Sequence, residues 1–396
     1  MTHHIIIGAG HAGMAAAREL AKHGQVTVID ADPHLPYERP ALSKEFLLAD
    51  SFPDPQSHDW GAITFVGGTR VAEIRPDAHE IRLEDGRVLG YDRLLLTTGG
   101  TARALPVAGA EMILGLRDLG DARKLHGLLR EALDIAIIGA GVIGLEVAST
   151  ARKLGLGVHV IELGDRVMAR SLPPEISDLL MARHRASGVQ FHMGTGLDHL
   201  RTRDGRQILH LGDGSDLEVD QTLAGVGFTP DTGLAEAAGI ACDHGIVVDG
   251  AGRTSAPDIF AAGDVSVFPD SQQSPSRWQT WQHAQRHGSH VARAMAGQSS
   301  DYMPLPWFWT DQQGINLQVL GSPLRADHCV LRGAPEGPST RIYLRDGQVA
   351  GAVMIDQGRD TRPLTALIES GASPDPVALA DPATPLRNLI PARSAA

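Results

Sequence analysis

Two glycine clusters, Gly8-Ala9-Gly10-His11-Ala12-Gly13 and Gly139-Ala140-Gly141-Val142-Ile143-Gly144, are the residues whose type and spacing point most directly to chemistry. Glycine has no Cβ, so a backbone turning at GxGxxG can approach a pyrophosphate closely. A helix beginning there offers the phosphates unpaired N–H groups and the positive end of its dipole. An acid about 20 residues further on takes the ribose hydroxyls, and Asp30 and Glu162 stand in that place. A lone GxGxxG is weak evidence. Two copies 131 positions apart, each with the same elements around it, are strong evidence.

Those elements are legible in both copies. Ile5-Ile6-Ile7 and Ala136-Ile137-Ile138 read as buried strands running into the turns, Ala-rich helices follow, and Val26-Thr27-Val28-Ile29 and Val158-His159-Val160-Ile161 read as second strands ending in acid. Residues 63–96 read as short strands with turns at Gly67-Gly68 and Asp85-Gly86, closing at Thr97-Thr98-Gly99-Gly100. Residues 189–193, 207–211 and 219–225 are predicted to complete a second sheet, and a strand-loop stretch covers 246–264. Residues 288–296 look helical, and Pro304 and Pro306 mark a boundary near residue 300. Alternating strands and a helical patch near Thr365 follow. The tail from Ser373, with Pro374, Pro376, Pro382, Pro385 and Pro391, is expected to lie as an extended surface strap.

The bulk properties bound the function. A chain of 396 residues suits two or three domains, and 42 % apolar with 21 % charged residues is the balance of a globular protein. A net charge of −12 repels nucleic acid and anionic membrane at long range, so neither is an expected partner. No apolar run reaches the length of a membrane span and the start lacks the features of a signal peptide, so the expected location is cytoplasmic. Cys242 and Cys329 alone provide no disulfide framework and are expected to be buried thiols. His283, His287 and His290 would share one helix face, a spacing able to ligate a metal, but no cysteine or carboxylate cluster accompanies them and no metal is expected.

Two turns imply two dinucleotides, and the natural pair is one tightly held flavin, FAD, and one exchangeable nicotinamide, NAD(H). At the second turn Glu162 would repel the 2′-phosphate of NADPH and accept a free 2′-hydroxyl, so NADH is the expected reductant. Arg166, four residues on, would weaken that preference if it turned inward.

Leu35-Pro36-Tyr37-Glu38-Arg39-Pro40-Ala41-Leu42-Ser43-Lys44 resembles the signature of the ferredoxin reductases of bacterial oxygenase systems. Thr97-Thr98-Gly99, Ile259-Phe260-Ala261-Ala262-Gly263-Asp264-Val265, Thr280-Trp281-Gln282-His283-Ala284 and Pro306-Trp307-Phe308-Trp309-Thr310-Asp311-Gln312 extend the resemblance over essentially the whole chain. The last stretch resembles the opening of the C-terminal domain in dioxygenase-type members. That family resembles glutathione reductase in fold. The resemblance therefore implies an α/β protein with two Rossmann-like dinucleotide-binding domains and a C-terminal α+β domain. The expected division is an FAD-binding domain at 1–106 and 234–300, an NAD-binding domain at 107–233, and an interface or dimerisation-like domain at 301–396.

Carried over by position, the resemblance puts Gly8, Gly10, His11, Ala12, Gly13, Asp30, Arg39, Lys44, Val71, Thr98, Gly99, Arg117, Asp264 and Trp281 at the FAD. It puts Gly139, Gly141, Val142, Ile143, Gly144, Glu146, Glu162 and Gly227 at the NAD. Lys44 and Glu146 are implied to pair beside the flavin as the catalytic residues. Lys44 is one of only 4 lysines against 31 arginines, and a compact ammonium there would stabilise a reduced flavin anion. The family's first ribose acid sits one residue beyond Asp30, where this chain has Ala31, so Asp30 or Asp32 must substitute.

Disulfide reductases of this fold carry two cysteines beside the flavin, and residues 39–44 contain none, so electrons must leave the flavin directly. The implied acceptor is a [2Fe–2S] ferredoxin serving an aromatic-ring dioxygenase, with the reductase a monomer or homodimer. From residue 302 onward eight arginines face nine acids, a near-neutral region where an acidic ferredoxin could dock, with Trp307 and Trp309 either lining that surface or packing as core aromatics. The alternatives are a reductase for a P450 ferredoxin or rubredoxin and, in another class, an NADH-binding redox sensor like the apoptosis-inducing factors.

Overall fold

Each glycine turn is held at the carboxyl end of a strand buried on both faces, and the two sheets are built alike. The computed structural model describes residues 2–51, 61–270, 273–298 and 302–391. The described residues fall into two compact units, one drawn from 1–40, 53–103 and 228–304, the other from 41–52, 104–227 and 305–396.

In the first unit, His3–Ile7 is flanked by Gln25–Ile29 and Arg93–Leu96, and Ile63–Val66 and Ile259–Ala261 complete an all-parallel sheet of five strands. Ile5 and Ile6 are fully buried, as a central parallel strand covered on both faces requires. Ile7 lies opposite both Ile29 and Leu96, so the chain leaves the sheet at Gly8 with Asp30 and Thr97 on either side. The helix His11–Leu20 packs against Trp281–Met295. Their approach is set by Gly288, where an added Cβ would fall on the Ala12 carbonyl oxygen. The helix predicted over 288–296 thus begins earlier, at Trp281, capped by the Thr280 side chain accepting from His283 N. The boundary expected near residue 300 falls outside the described residues.

Residues 283, 287 and 290 do share one face of that helix, and all three are buried. They stack with Phe268 and Tyr302 as an aromatic cluster, and ring nitrogens are taken by Tyr302 Oη, Gly263 N and the Gly250 carbonyl respectively.

In the second unit, Asp134–Ile138 lies between Gly157–Glu162 and Gln221–Ala224, with Val189–Met193 beyond, again all parallel. Ile138 lies opposite Ile161 and Ala224. The segment 207–211, expected in this sheet, belongs instead to an antiparallel ribbon of Leu197–Arg203, Arg206–Leu211 and Asp216–Val219. The turns at Gly205 and Gly214, both with positive φ, fold it back on its neighbours.

Residues 307–391 carry a five-stranded antiparallel sheet in the order Trp307–Gln312, Ile315–Gly321, Gln348–Ile355, Ser339–Arg345 and His328–Gly333, covered by the helix Thr361–Glu369. The tail is not an extended surface strap. Pro376–Ala380 is helical, Leu379 and Leu386 are buried in the core, and Arg332 donates to the carbonyls of Leu379, Asp381, Pro382 and Thr384. Two apolar side chains and one guanidinium fork with four acceptors outweigh the prolines' preference for extension. The expectation of buried thiols also fails: Cys329 points outward from an edge strand and Cys242 is half-buried. No helix among the described residues is long and apolar enough to cross a membrane.

Two glycine-to-alanine substitutions separate packing from propensity. Gly288→Ala must push two helices apart and is expected to destabilise by about 1–3 kcal/mol. Gly127→Ala, in the exposed middle of Leu119–Glu131 with open space around it, is expected to stabilise by roughly 0.5–1 kcal/mol. Urea midpoints read by tryptophan fluorescence check both signs.

Candidate active site

The first turn is shaped by three groups. An added Cβ on Gly8 would strike the Thr97 carbonyl and one on Gly13 the Gly8 carbonyl, so both must be glycine for the strand, turn and helix to close up. Gly8 also has a φ of +104°. A Cβ on Gly10 would meet nothing within 4 Å. Gly10 therefore owes nothing to internal packing, and the space beside it lies at the start of a helix with no side-chain cap. The second turn repeats this. Gly139, at φ +99°, lies against the Gly225 carbonyl, Gly144 against the Gly139 carbonyl, and beside Gly141 the nearest atom is 3.8 Å away. Two cradles that a methyl group would fill, each facing the free amides of a helix start, fit the pyrophosphates of FAD and NAD(H). Val142 and Ile143 open the second helix, and Ile143 is exposed.

The strand-end acids do more than wait for ribose. Asp30 accepts Ala9 N at 2.5 Å and Asp32 N at 2.9 Å on separate oxygens. Glu162 accepts Ala140 N at 2.7 Å and Gly164 N at 2.8 Å. Each carboxylate latches the second residue of its turn and keeps lone pairs to spare. Asp32 instead accepts from His34 N, the His34 ring and Tyr37 Oη. Burial raises its pKa, but these hydrogen bonds together outweigh burial and leave it below the ordinary carboxylate value. Arg166 donates to the carbonyls of Leu172 and Ala169 and to Ser177 Oγ.

Of the other expected residues of the first unit, His11, Trp281 and the turn that carries Asp264 lie at the first helix start. His11 Nε2 and Trp281 Nε1 both reach Glu38 Oε2, at 2.9 and 2.7 Å. The His11 bond, then Trp281, holds Glu38 below the usual carboxylate range against the opposing effect of burial. Asp264 lies in the 3-10 turn Gly263–Val265, where Gly263 at φ +79° leaves room for Ala12. Thr98 Oγ1 donates to the Asp231 carbonyl, and Asp231 N donates to Gly99 O. Arg39 stands over the Tyr37 ring, and Val71 is part of the buried core.

In the second unit Lys44 and Glu146 are brought together, Nζ to Oε1 at 3.2 Å, with side chains 11 % and 5 % exposed. Lys44 also lies 3.6 Å from Asp311 Oδ2 and 6.0 Å from the Trp309 ring centre. Glu146 accepts two further donors, Ser43 Oγ at 2.5 Å and Thr310 Oγ1 at 2.7 Å. Arg117 N is held by Asp121 ahead of its helix, and Gly227 has a φ of +107° with open space where a side chain would be. Glu38, Ser43, Thr310, Asp311 and Gln312 were not singled out from the sequence. Their signal was position inside the two quoted motifs.

The sequence profile described as pyridine nucleotide-disulphide oxidoreductase matches residues 2–288, and that described as reductase C-terminal matches 307–390. The chain belongs to the pyridine nucleotide-disulphide oxidoreductase family. A protein of Photorhabdus laumondii subsp. laumondii, named 3-phenylpropionate/cinnamic acid dioxygenase ferredoxin–NAD(+) reductase component, is 38 % identical over 384 residues, 93 % of this chain and 96 % of its own length. The anthranilate 1,2-dioxygenase system ferredoxin–NAD(+) reductase component of Burkholderia cepacia is 36 % identical over 98 % of each chain. The crystal structure of the ferredoxin reductase for the CYP199A2 system of Rhodopseudomonas palustris superposes with a TM-score of 0.93 at 32 % identity, covering 99 % of this chain and 100 % of that one. This family member is a flavin oxidoreductase with FAD and NAD(H) as cofactors. Despite the family's name it has no cysteine pair for a redox disulfide.

Acid should loosen the first unit where it supports the Gly263–Asp264 turn. His287, fully enclosed, accepts Gly263 N and is driven well below the ordinary imidazole value by burial, with His283 and His290 adding to it. Burial alone lowers His283 to about 3, and burial above all lowers His4 to about 4. Folded values below the unfolded value of about 6.5 mean that the unfolded chain binds more protons as pH falls. Stability is then retained above about pH 6.5 and lost progressively toward pH 3. Urea midpoints are expected to drop steadily from pH 7 to 5; a flat profile would contradict a neutral buried cluster.

Proposed function

We propose that this chain is the reductase of a multicomponent aromatic-ring dioxygenase, taking a hydride from NADH and delivering single electrons to a [2Fe–2S] ferredoxin in the cytoplasm. The observation that carries the reading is the pair of methyl-sized vacancies beside Gly10 and Gly141 in a chain that has no redox cysteine pair. Bound FAD supplies the two-electron to one-electron conversion that such a route needs.

The residues act as follows in this reading. Gly8 to Gly13, with the latch Asp30, hold the FAD pyrophosphate and ribose, and Asp264, Thr98, Gly99, Arg39, Val71, Arg117 and Trp281 line the rest of that cofactor. Gly139 to Gly144, Glu162 and Gly227 receive NADH. Glu162 spends one lone pair of each oxygen on its own turn, so its charge is fixed where a 2′-phosphate would enter. Lys44, set between Glu146 and Asp311, presents a positive charge to electron density arriving on the flavin. Trp307 and Trp309 are stacked 5.3 Å apart and half-buried on the strand that opens the C-terminal region, a surface suited to a docked ferredoxin. We read 301–396 as an interface domain and the protein as a monomer or homodimer.

Likeness to the reductase of a CYP199A2 system favours a second acceptor, the ferredoxin of a P450. Reconstitution with both carriers tests the two together. NADH is expected to support reduction of the dioxygenase ferredoxin with kcat/KM at least about tenfold above NADPH and above the P450 ferredoxin. Equal values for NADH and NADPH would remove the role of Glu162. Flavin reduction without reduction of either carrier would remove the acceptor.

A further inference from the structure

The strand Trp307–Gln312 alternates in the usual way, and its two faces have different tasks. Trp309 and Asp311 face Lys44. Thr310 and Gln312, on the other face, are enclosed, with relative exposures of 0 and 2 %. They belong to a chain of hydrogen bonds that starts on another helix. His184, in Pro174–Ala186 and fully buried, reaches Gln312 Oε1 through Nε2 at 2.7 Å. Gln312 Nε2 donates to Thr310 Oγ1 at 3.0 Å, and Thr310 Oγ1 donates to Glu146 Oε1 at 2.7 Å.

The direction of this chain is fixed at every link. The Glu146 carboxylate only accepts, so Thr310 must donate to it and accept from the Gln312 amide nitrogen, which leaves Gln312 Oε1 to accept from His184 Nε2. Gln313 Nε2 lies 3.1 Å from His184 Nδ1, so that nitrogen accepts and the ring proton sits on Nε2. Burial, against a smaller opposing effect of Gln312, lowers the His184 value and so favours the neutral ring, and its two glutamine partners select the tautomer. Thr310 Oγ1 accepts the Gln312 hydrogen bond and has its own hydroxyl hydrogen to donate, and the acceptor in reach is Glu146. Gln313 N, bonded to Ser149 Oγ at 2.9 Å, anchors the strand end to the helix that carries Glu146.

We propose that Thr310, Gln312 and His184 are positioning residues: a one-way donor relay that fixes the Glu146 carboxylate and, through it, the place of the Lys44 ammonium. The C-terminal strand is then part of the redox site as well as a candidate docking surface. This rests on the role given to Glu146 above. Without Thr310, Oε1 keeps only the longer bond to Lys44, the carboxylate can rotate about Ser43, and the Gln312 amide nitrogen keeps only its long contact to Met168 Sδ.

The test is a double-mutant cycle on the FAD-loaded protein, with two readouts: the stopped-flow rate of flavin reduction by NADH and the flavin midpoint potential. Thr310→Val keeps the side chain's shape and removes its donor. It is expected to slow reduction by about tenfold and to move the potential in the same direction as Glu146→Gln. Thr310→Ser restores both readouts, and Thr310→Val adds nothing in the Glu146→Gln background. A Thr310→Val effect of full size on top of Glu146→Gln would overturn the relay, as would a silent Thr310→Val beside an active Glu146→Gln. A silent Glu146→Gln would remove the role of Glu146 itself, and the relay with it. FAD content and melting temperature of each variant show that the comparison is made on folded, loaded protein.

Discussion

The two nucleotide-binding halves depend on one repeated interaction, the carboxylate at the end of the second parallel strand gripping the amide of the residue between the first two glycines. Asp30 does this to Ala9 and Glu162 to Ala140. A glycine turn is permissive and has many states to lose on folding. A charge-assisted hydrogen bond at its centre selects one of them. The neighbouring carbonyls of Thr97 and Gly225 close the other side, and their fit against Gly8 and Gly139 excludes any side chain. What remains open in each turn is the space beside the middle glycine, so the shape of the cradle follows from how the turn is clamped.

The Lys44–Glu146 pair follows a similar logic with charge in place of backbone. A buried ammonium and a buried carboxylate each lose hydration worth several kcal/mol, and stripping one of its partner costs about 3–5 kcal/mol. Here Lys44 has two carboxylates within 4 Å, and Glu146 has three donors drawn from two distant stretches of chain. Such an arrangement survives only if its supports are rigid, and the supports are a helix face, the turn that leads into the short helix Glu45–Leu48, and a β-strand.

Local signals carried most of the fold. Two parallel sheets followed from Ile-rich strands running into glycine turns, since the required φ values, close approach and buried strands all mark the sequence within about ten residues. Long-range competition was not visible. The prolines of the tail argued for extension, whereas Leu379, Leu386 and the Arg332 fork bind it into a core that only the fold creates. Residues 207–211 had strand character but no mark of which sheet they join. At the site, Lys44 stood out as one of only 4 lysines, and Glu146 only through the family resemblance. Thr310 and Gln312 did not, because a threonine and a glutamine on a strand are ordinary until His184, 126 or more positions away, is packed against them.

We read the openings beside Gly10 and Gly141 as ligand space, one for each cofactor. Substituting each with valine tests it directly, because an added Cβ meets nothing within 4 Å at Gly10 and nothing nearer than 3.8 Å at Gly141. FAD content per chain and NADH dissociation constant are measured on the two purified variants. Gly10→Val is expected to emerge folded but colourless, and Gly141→Val to emerge yellow with NADH binding weakened by at least about tenfold. Full FAD in the first variant, or unaltered NADH affinity in the second, would contradict this reading.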